Sequence, residues 1–185
     1  MTVVCLTGLT TAILLGSSDA GLAQSERAAR PATPEMAQLW SFFGGDWTTT
    51  EALERSEELP NGGARRGQLH YRLGQGGRTL IGEGQSDGSA GRLEYLMVVW
   101  WNADARLYGF FICFNGGASA CEERGTAHWD GDRLVNEYTA LYHGKRTRMT
   151  DTWQQTGRDS RTLVFAVQQD DGTMRPMITT TSVRR

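Results

Sequence analysis

Short clusters of turn-forming residues divide the chain after Gly45 at steady intervals. The clusters combine Gly, Asp, Asn and Pro, which favour tight turns. They are Pro60–Gly63, Gln75–Gly77, Ser86–Gly88, Asn102–Asp104, Asp130–Asp132, Thr156–Asp159 and Asp170–Gly172. Glycine is also in excess, with 23 of 185 residues, about 12% against a usual share of roughly 7%. A chain divided in this way, without helical segments between the turns, is restricted to short strands joined by hairpins.

Ten segments have the residue types and spacing of β-strands. They are Asp46–Leu53, Gln68–Leu73, Arg78–Gly84, Leu93–Trp101, Arg106–Phe114, Cys121–Trp129, Arg133–Tyr142, Arg146–Gln154, Arg161–Gln168 and Met174–Val183. The connections are mostly too short for parallel crossovers, so the sequence predicts an all-β, antiparallel domain. A sandwich and a barrel both fit this pattern. About ten strands joined in order favour an up-and-down β-barrel, which closes and leaves no free edge.

One amphipathic segment precedes the strands. Thr33 can cap a helix, Pro34 suits its first turn, and Gly44 can end it. Its large apolar side chains recur at helical spacing on one face. They are Met36, Leu39, Trp40 and Phe43. A helix this short needs tertiary contacts to hold it, so we expect a short N-terminal helix that closes one end of the barrel.

An almost uncharged apolar run, Val3–Gly16, lies near the start of the sequence. It is too short to span a membrane, which takes roughly 20 apolar residues, and it fits the apolar region of a secretory signal peptide. Cleavage after Ala23 or after Ala20 satisfies the small-residue rule, although no Lys or Arg precedes the run. We predict a signal peptide over residues 1–23, a flexible segment over residues 24–32 and a barrel domain over residues 33–185. The mature chain would be periplasmic or secreted, with no membrane span.

Two cysteines, Cys113 and Cys121, remain after that cleavage and flank a turn-rich stretch. In a hairpin centred on Gly117 they lie opposite each other, close enough for a bridge. Because export leads to an oxidising compartment, we predict a Cys113–Cys121 disulfide; two reduced thiols are the alternative. The sequence has no Cys-x-x-Cys motif and its three histidines are far apart, so we expect no metal and no cofactor.

Charge and motifs exclude several classes of function. With 19 basic and 21 acidic residues the formal net charge is −2, whereas a nucleic-acid-binding surface needs an excess of Lys and Arg. The sequence contains no dinucleotide-binding fingerprint, no phosphate-binding P-loop, no His-Glu-x-x-His and no Gly-x-Ser-x-Gly. We therefore expect no nucleic acid as a partner.

Aromatic side chains on the central strands favour a ligand site. These are Tyr95, Trp101, Phe111, Tyr138 and Trp153. In the segment Arg146–Gln154, alternation places Met149, Asp151 and Trp153 on one face, which we expect to line the interior. Asp151 would then be a polar anchor in a mainly apolar pocket. A barrel of about ten strands leaves room for one small ligand, and a fully packed interior is the alternative.

A catalytic site on the same strands is a second hypothesis. In the segment Cys121–Trp129, alternation groups Glu122 and His128 on one face, which looks solvent-exposed. If that face lined the interior instead, Glu122 and His128, or Asp151, could act as acid and base. His143 stands beside Gly144, which indicates a turn rather than a haem-ligand position.

The run Gly45-Asp46-Trp47 contains the Gly-x-Trp that opens the first strand of lipocalins and related calycin-type barrels. More of the chain resembles an uncharacterised bacterial family of such barrels, described only as a domain of unknown function. The further matching stretches are Gly76–Glu83, Asn102–Tyr108, Asp130–Leu134 and Asp171-Gly172, followed by a strand that ends in Arg184. The resemblance implies a calycin-like barrel in which Trp47 packs beneath Arg184, and it supplies no catalytic residues. Cys113, Cys121 and the doubled Trp100-Trp101 depart from it.

These observations predict an exported protein that binds a small apolar or amphipathic molecule in a β-barrel. A barrel enzyme, isomerase-like or hydrolase-like, is one alternative. The other is an interaction module or inhibitor with a filled barrel, which would present Trp100 or the Cys113–Cys121 loop as an exposed apolar patch. Homodimerisation through that patch is left open.

Overall fold

The structure, a computed structural model, describes residues 30–57, 59–115, 121 and 123–185. Within these residues it contains one α-helix, α1 (Pro34–Phe43), followed by ten strands. The strands are β1 (Gly45–Leu53), β2 (Gly63–Gly74), β3 (Thr79–Gly88), β4 (Leu93–Asn102), β5 (Leu107–Phe114), β6 (Glu123–Asp130), β7 (Arg133–Tyr142), β8 (Lys145–Gly157), β9 (Ser160–Gln168) and β10 (Met174–Arg184). The predicted signal peptide lies outside the described residues.

The ten strands form one closed antiparallel barrel. Each strand pairs with its neighbours in the sequence, and β1 also pairs with β10. In that closing pair Trp47 aligns with Arg184 and Leu53 aligns with Ile178. The prediction of an all-β, antiparallel up-and-down barrel of about ten strands is therefore confirmed, and the sandwich alternative is wrong.

Strand β3 is longer than the turn signals predict. It pairs with β2 from Gly74 and Thr79 as far as Arg65 and Gly88. Ser86 lies in a strand, where its side chain is buried, and the turn falls later, at Ser89 and Ala90. The predicted turn over Ser86–Gly88 is wrong because pairing with β2 supplies backbone hydrogen bonds that outweigh the local preference of these residues.

Helix α1 covers the end of the barrel at which β1 begins. The Thr33 side chain caps the helix by accepting a hydrogen bond of 3.2 Å from the Met36 backbone N–H. The helix buries one face, which consists of Met36, Leu39, Phe42 and Phe43. Gly44 follows the last helical residue with an extended backbone, and the position requires glycine because a Cβ there would lie 2.6 Å from the Trp40 ring. The expected helix is therefore present, and it covers one end of the barrel.

Cys113 and Cys121 form a disulfide, as the hairpin geometry predicts. Cys113 is the next-to-last residue of β5, and Cys121 stands two residues before β6. Their Cα atoms are 4.0 Å apart. The bridge joins β5 to β6 at the end of the barrel opposite α1.

Candidate functional site

Inward-facing side chains are buried to different degrees at the two ends of the barrel. Beneath the helix, Leu80 and Tyr108 are almost completely inaccessible. Toward the opposite end, several inward-facing apolar side chains are only partly buried. They are Tyr95, Phe114, Phe165 and Met177. The interior is therefore less tightly covered on the side away from α1, and we call this part of the interior the lumen.

One wall of the lumen carries a group of polar side chains on three neighbouring strands. The group consists of Glu123 on β6, Asn136 and Tyr138 on β7, and Asp151 on β8, and we call it the acceptor cluster. Asn136 aligns directly with Asp151 across the β7–β8 pair. The Asn136 Nδ2 atom donates a hydrogen bond of 3.5 Å to the Asp151 Oδ2 atom. Asn136 is 4% exposed and Asp151 is 7% exposed, so this pair lies well inside the barrel.

Both carboxyl groups of the acceptor cluster have raised pKa values. Burial raises the pKa of Asp151 to about 7, against a smaller lowering effect of hydrogen bonds from Asn136 and Tyr138. Burial, with the nearby negative charge of Asp151 as a second cause, raises the pKa of Glu123 to about 7. Strongly raised carboxyl pKa values occur often at functional sites, so the acceptor cluster is a candidate site.

Two buried acceptor atoms of the cluster have no hydrogen-bond partner among the residues that the structure describes. They are the Glu123 Oε2 atom and the Asn136 Oδ1 atom, and both are buried. A buried polar atom without a partner costs roughly 1–3 kcal/mol, so native structures pair almost all of them. These atoms identify a place where a donor from outside the chain would be bound favourably.

On β1 and β2, Glu51 and Arg65 form a separate buried ion pair. The Arg65 Nε atom lies 2.7 Å from the Glu51 Oε2 atom, and the two side chains are 9% exposed or less. The two residues align across the strand pair. Because Glu51 neutralises Arg65, this guanidinium does not balance the charge of the acceptor cluster.

Beneath the lumen, a second buried arginine lies against the helix. Arg161 is 1% exposed, and its Nη1 atom donates a hydrogen bond of 2.9 Å to the Phe42 carbonyl oxygen. Its guanidinium carbon lies 3.9 Å from the Trp47 ring centre and 4.4 Å from the Phe43 ring centre. Burial lowers the pKa of Arg161 to about 10. Aromatic faces attract a cation, so this arrangement holds the charge without a carboxylate.

Arg184 fixes the same end of the barrel from the last strand. Its guanidinium carbon lies 4.5 Å from the Trp47 ring centre. Its Nη1 and Nη2 atoms donate hydrogen bonds to the carbonyl oxygens of Gly44 and Ser41. Trp47 and Arg184 therefore lie where the calycin resemblance implies, and they join the helix to the closing strand pair.

Most of the aromatic and polar residues named as candidate ligand contacts face the interior. Tyr95, Tyr138, Met149 and Asp151 lie in the half of the barrel away from α1. Trp153 lies beneath the helix, with its ring centre 5.1 Å from that of Phe43. Trp101 also lies there, with its ring centre 4.9 Å from that of Tyr108.

Phe111 is the exception, because it lies on the outer face of β5. The exposed side chain of Arg124 stands over its ring, with 5.2 Å between the guanidinium carbon and the ring centre. The inward position is taken by Phe110, whose ring packs edge-on against that of Tyr138 at 5.5 Å. The expectation that Phe111 lines the cavity is therefore wrong. Both faces of β5 are apolar, so hydrophobicity alone did not identify the inner face.

Of the residues proposed for acid–base catalysis, the two that the structure describes, His128 and Asp151, lie on opposite faces of the barrel wall. Glu122 lies outside the described residues. His128 lies on the outer face of β6, since Glu123, Ala127 and Trp129 occupy its inner face. His143 lies in the turn between β7 and β8, as its neighbours indicate. Strict alternation from the buried Ala127 and Trp129 would have identified Glu123 as the inward carboxylate of this strand.

The outer surface carries two shallow grooves across β1–β4, with volumes of about 510 Å³ and 650 Å³. Charged and polar side chains line most of both grooves. In one of them the Asp46 Oδ1 and His70 Nδ1 atoms are 2.7 Å apart. These open grooves lack the enclosed apolar surface that most small-molecule sites have, so the lumen is the better candidate.

Trp100 lies on the outer face of β4 and is 39% exposed. Its ring covers Gly109 of β5, where a Cβ atom would lie 2.5 Å from the indole. Leu141 on β7 and Val183 on β10 are also exposed. These three side chains lie on strands at least three positions apart around the barrel, so they do not form one continuous patch.

Neither membrane-spanning helices nor metal-ligand clusters occur in the part of the chain that the structure describes. No helix there is long and apolar enough to cross a membrane. No group of three or more His, Cys, Asp or Glu side chains there is arranged to hold a metal ion.

Solved structures of other proteins share this fold. The chain is similar to Rv2717c from M. tuberculosis, with 15% identity, coverage of 83% of this chain and 98% of that chain, and a TM-score of 0.59. It is also similar to the S-type phycobiliprotein lyase CPES from Guillardia theta, with 9% identity, coverage of 80% and 91%, and a TM-score of 0.51. At these identities the likeness shows a lipocalin-like barrel fold and nothing more. No protein-family model matches the sequence, and none of the curated proteins does. Membership of the uncharacterised bacterial family stays a prediction.

Proposed function

We propose that this protein binds a small amphipathic molecule in the lumen of its barrel. The observation that carries the proposal is the combination, in one interior space, of partly exposed aromatic side chains and buried acceptor atoms without partners. Phe165 and Asp151 illustrate it, because they align across the β8–β9 pair and face the lumen together. Pockets for small molecules have this composition, with much apolar surface and a few polar groups that orient the ligand.

Helix α1 supports the proposal because it closes one end of the barrel. Its apolar face packs against aromatic side chains of the strands. The ring centre of Phe42, for example, lies 5.3 Å from that of Trp129. A ligand would therefore enter from the end opposite the helix, near the Cys113–Cys121 bridge. The geometry gives the enzyme alternative no comparable support, since His128 is outside the barrel.

Replacing Phe165 with alanine is expected to weaken binding of the neutral fluorescent probe N-phenyl-1-naphthylamine about fivefold or more. The substitution removes apolar surface from the lumen, and each buried CH₂ group contributes roughly 0.8 kcal/mol. The measurement is a fluorescence titration of the purified protein with this probe, with thermal unfolding recorded for each variant.

Phe111→Ala is the matched control, because it removes the same side chain from the outer face of the barrel. Its affinity for the probe is expected to stay within twofold of that of the unsubstituted protein. Absence of any fluorescence enhancement, or equal losses of affinity in both variants, would contradict a ligand-binding lumen.

We also propose that the protein is exported to the periplasm or secreted. The apolar run Val3–Gly16 and the Cys113–Cys121 disulfide support this location, because disulfides persist in oxidising compartments. Expressed in a Gram-negative host, the exported chain is expected to begin at Gln24 or at Gly21. Intact-mass measurement of the periplasmic fraction tests this, with Leu14→Arg as an export-deficient control. A full-length chain recovered only from the cytoplasm would contradict the proposal.

A further inference from the structure

A line of apolar side chains lies on the outer face of β4. Leu96, Val98 and Trp100 alternate along this strand with Met97 and Val99, which are buried inside the barrel. Trp100 is exposed, and Leu96 and Val98 are partly exposed. A strand with one solvated face usually carries polar side chains on that face, so this outer line is unusual.

The neighbouring strands widen the line into a patch. Val98 aligns with Ile81 of β3 on one side and with Phe111 of β5 on the other. Both neighbours are partly exposed, and the Trp100 ring covers Gly109 of β5. Because the outer wall of a closed barrel is convex, we call this patch the outer crest; it consists of Ile81, Leu96, Val98, Trp100 and Phe111. Continuous exposed apolar surface marks a site for a membrane or for another protein.

The cross-strand row through Val98 ends in an arginine on either side. They are Arg72 on β2 and Arg124 on β6. Arg72 lies 4.0 Å from Glu83, whereas Arg124 stands over the Phe111 ring and forms no ion pair with another described residue.

Two further arginines lie in turns at the end of the barrel toward which Trp100 is placed. Arg78 precedes Thr79, which aligns with Trp100, and Arg106 lies in the turn between β4 and β5. Both are exposed, and neither forms an ion pair within the described part of the chain. Asp104 is the one acidic residue of these two turns, so the surface there is positive although the whole chain has a formal net charge of −2.

This combination favours a lipid surface over a second copy of the chain. Tryptophan is enriched at membrane interfaces, and arginine binds phosphate groups while its stem lies along apolar surface. In a two-fold pair of copies the row through Val98 would face itself, so arginines would lie opposite arginines. A layer of anionic headgroups instead supplies the negative charge that the unpaired arginines lack.

We propose that the outer crest docks the protein on an anionic phospholipid bilayer, with Trp100 in the interface and with Arg78 and Arg106 bound to phosphate groups. This inference goes beyond ligand binding in the lumen and is independent of it, because the crest lies on the outside of the barrel.

Vesicle binding by the exported chain tests the role of charge. Sedimentation with equimolar phosphatidylglycerol–phosphatidylcholine vesicles is expected to give a partition coefficient at least tenfold higher than with phosphatidylcholine alone. Salt at about 0.5 M is expected to remove most of the difference, because it screens the charges. Arg78→Gln combined with Arg106→Gln is expected to lose about tenfold on the mixed vesicles and less than twofold on the neutral ones. Arg146→Gln, on the exposed side of β8, is the control and is expected to change both by less than twofold.

Substitutions of Trp100 identify the docking face. Trp100→Ser is expected to weaken binding to the mixed vesicles about tenfold, whereas Val183→Ser, which removes an exposed apolar side chain from β10, changes it less than twofold. Trp100 is the most exposed tryptophan of the described residues. Trp100→Phe is therefore expected to bind within about threefold but to lose the quenching of tryptophan fluorescence by brominated lipids. This milder variant keeps the test valid if Trp100→Ser fails to fold.

Binding that does not distinguish the two lipid compositions, or quenching that persists in Trp100→Phe, would overturn the inference. A dimer in equilibrium sedimentation that Trp100→Ser dissociates, together with no vesicle binding, would overturn it in favour of a second copy. The apolar run Val3–Gly16, where it is retained, is the same in every variant, so differences between variants report on the crest. Failure of N-phenyl-1-naphthylamine to bind would contradict the ligand-binding lumen and leave this inference standing.

Discussion

Replacing Phe43 with alanine is expected to lower the free energy of unfolding by about 3–5 kcal/mol, the usual cost of deleting a large aromatic side chain from a core. Phe43 is 1% exposed and lies on the inner face of helix α1. Its ring centre is 5.1 Å from those of Tyr71 and Trp153, which belong to opposite walls of the barrel. The Trp47 indole also donates a hydrogen bond of 2.7 Å to the Phe43 carbonyl oxygen.

The measurement is equilibrium unfolding in urea, followed by tryptophan fluorescence. Gln38→Ala is the control, because Gln38 is exposed on the opposite face of the same helix. A surface substitution of this kind is expected to change stability by less than about 0.5 kcal/mol. If Phe43→Ala cost no more than Gln38→Ala, the helix would not be packed into the end of the barrel.

The second large effect is a fall in stability with rising pH that depends on Asp151. Burial raises the pKa of Asp151 to about 7 in the folded state, whereas an unfolded aspartate titrates near 3.9. Between these values the folded state binds more protons than the unfolded state, so stability decreases as pH increases. A difference of this size corresponds to a loss on the order of 3 kcal/mol between about pH 4 and pH 8.

Asp151→Asn is expected to remove much of this slope, because an amide does not ionise. Burial and the negative charge of Asp151 also raise the pKa of Glu123, so Glu123→Gln is expected to reduce the slope as well. Glu137→Gln is the control, since that carboxylate is outside the barrel. Unfolding in urea at several pH values measures the slope. Stability that rises over this range, or a slope unchanged in Asp151→Asn, would show that Asp151 is not protonated in the folded state.

The strands and the helix could be predicted because their signals are local. Turn residues such as Asp130 and Gly131 separate β6 from β7, and Thr33 and Gly44 bound the helix. The order of the strands around the barrel followed from short connections, which force neighbours in the sequence to pair. The predicted end of β3 was wrong because pairing with β2 overrode the local turn preference of Ser86–Gly88.

The site was harder to predict because burial is decided by distant residues. Phe110 and Phe111 are chemically identical, and only their contacts with Tyr138 and with Arg124 separate the inner from the outer position. Asp151 was identified because Met149 and Trp153 flank it at the spacing of one face. Arg161 was not identified, because an arginine is seldom buried and its aromatic surroundings come from four other elements.

The barrel cannot close until its last strand, β10, pairs with its first strand, β1. Trp47 meets Arg184 at the far end of the chain, so the contact that completes the wall spans almost the whole domain. Contacts between distant residues form slowly, because a long loop must close before they contribute. During synthesis the early strands therefore exist without their last partner, with one unpaired edge at β1. Until β10 is available, the unpaired edge of β1 can pair with strands of other chains, so the incomplete barrel is exposed to aggregation for most of its synthesis.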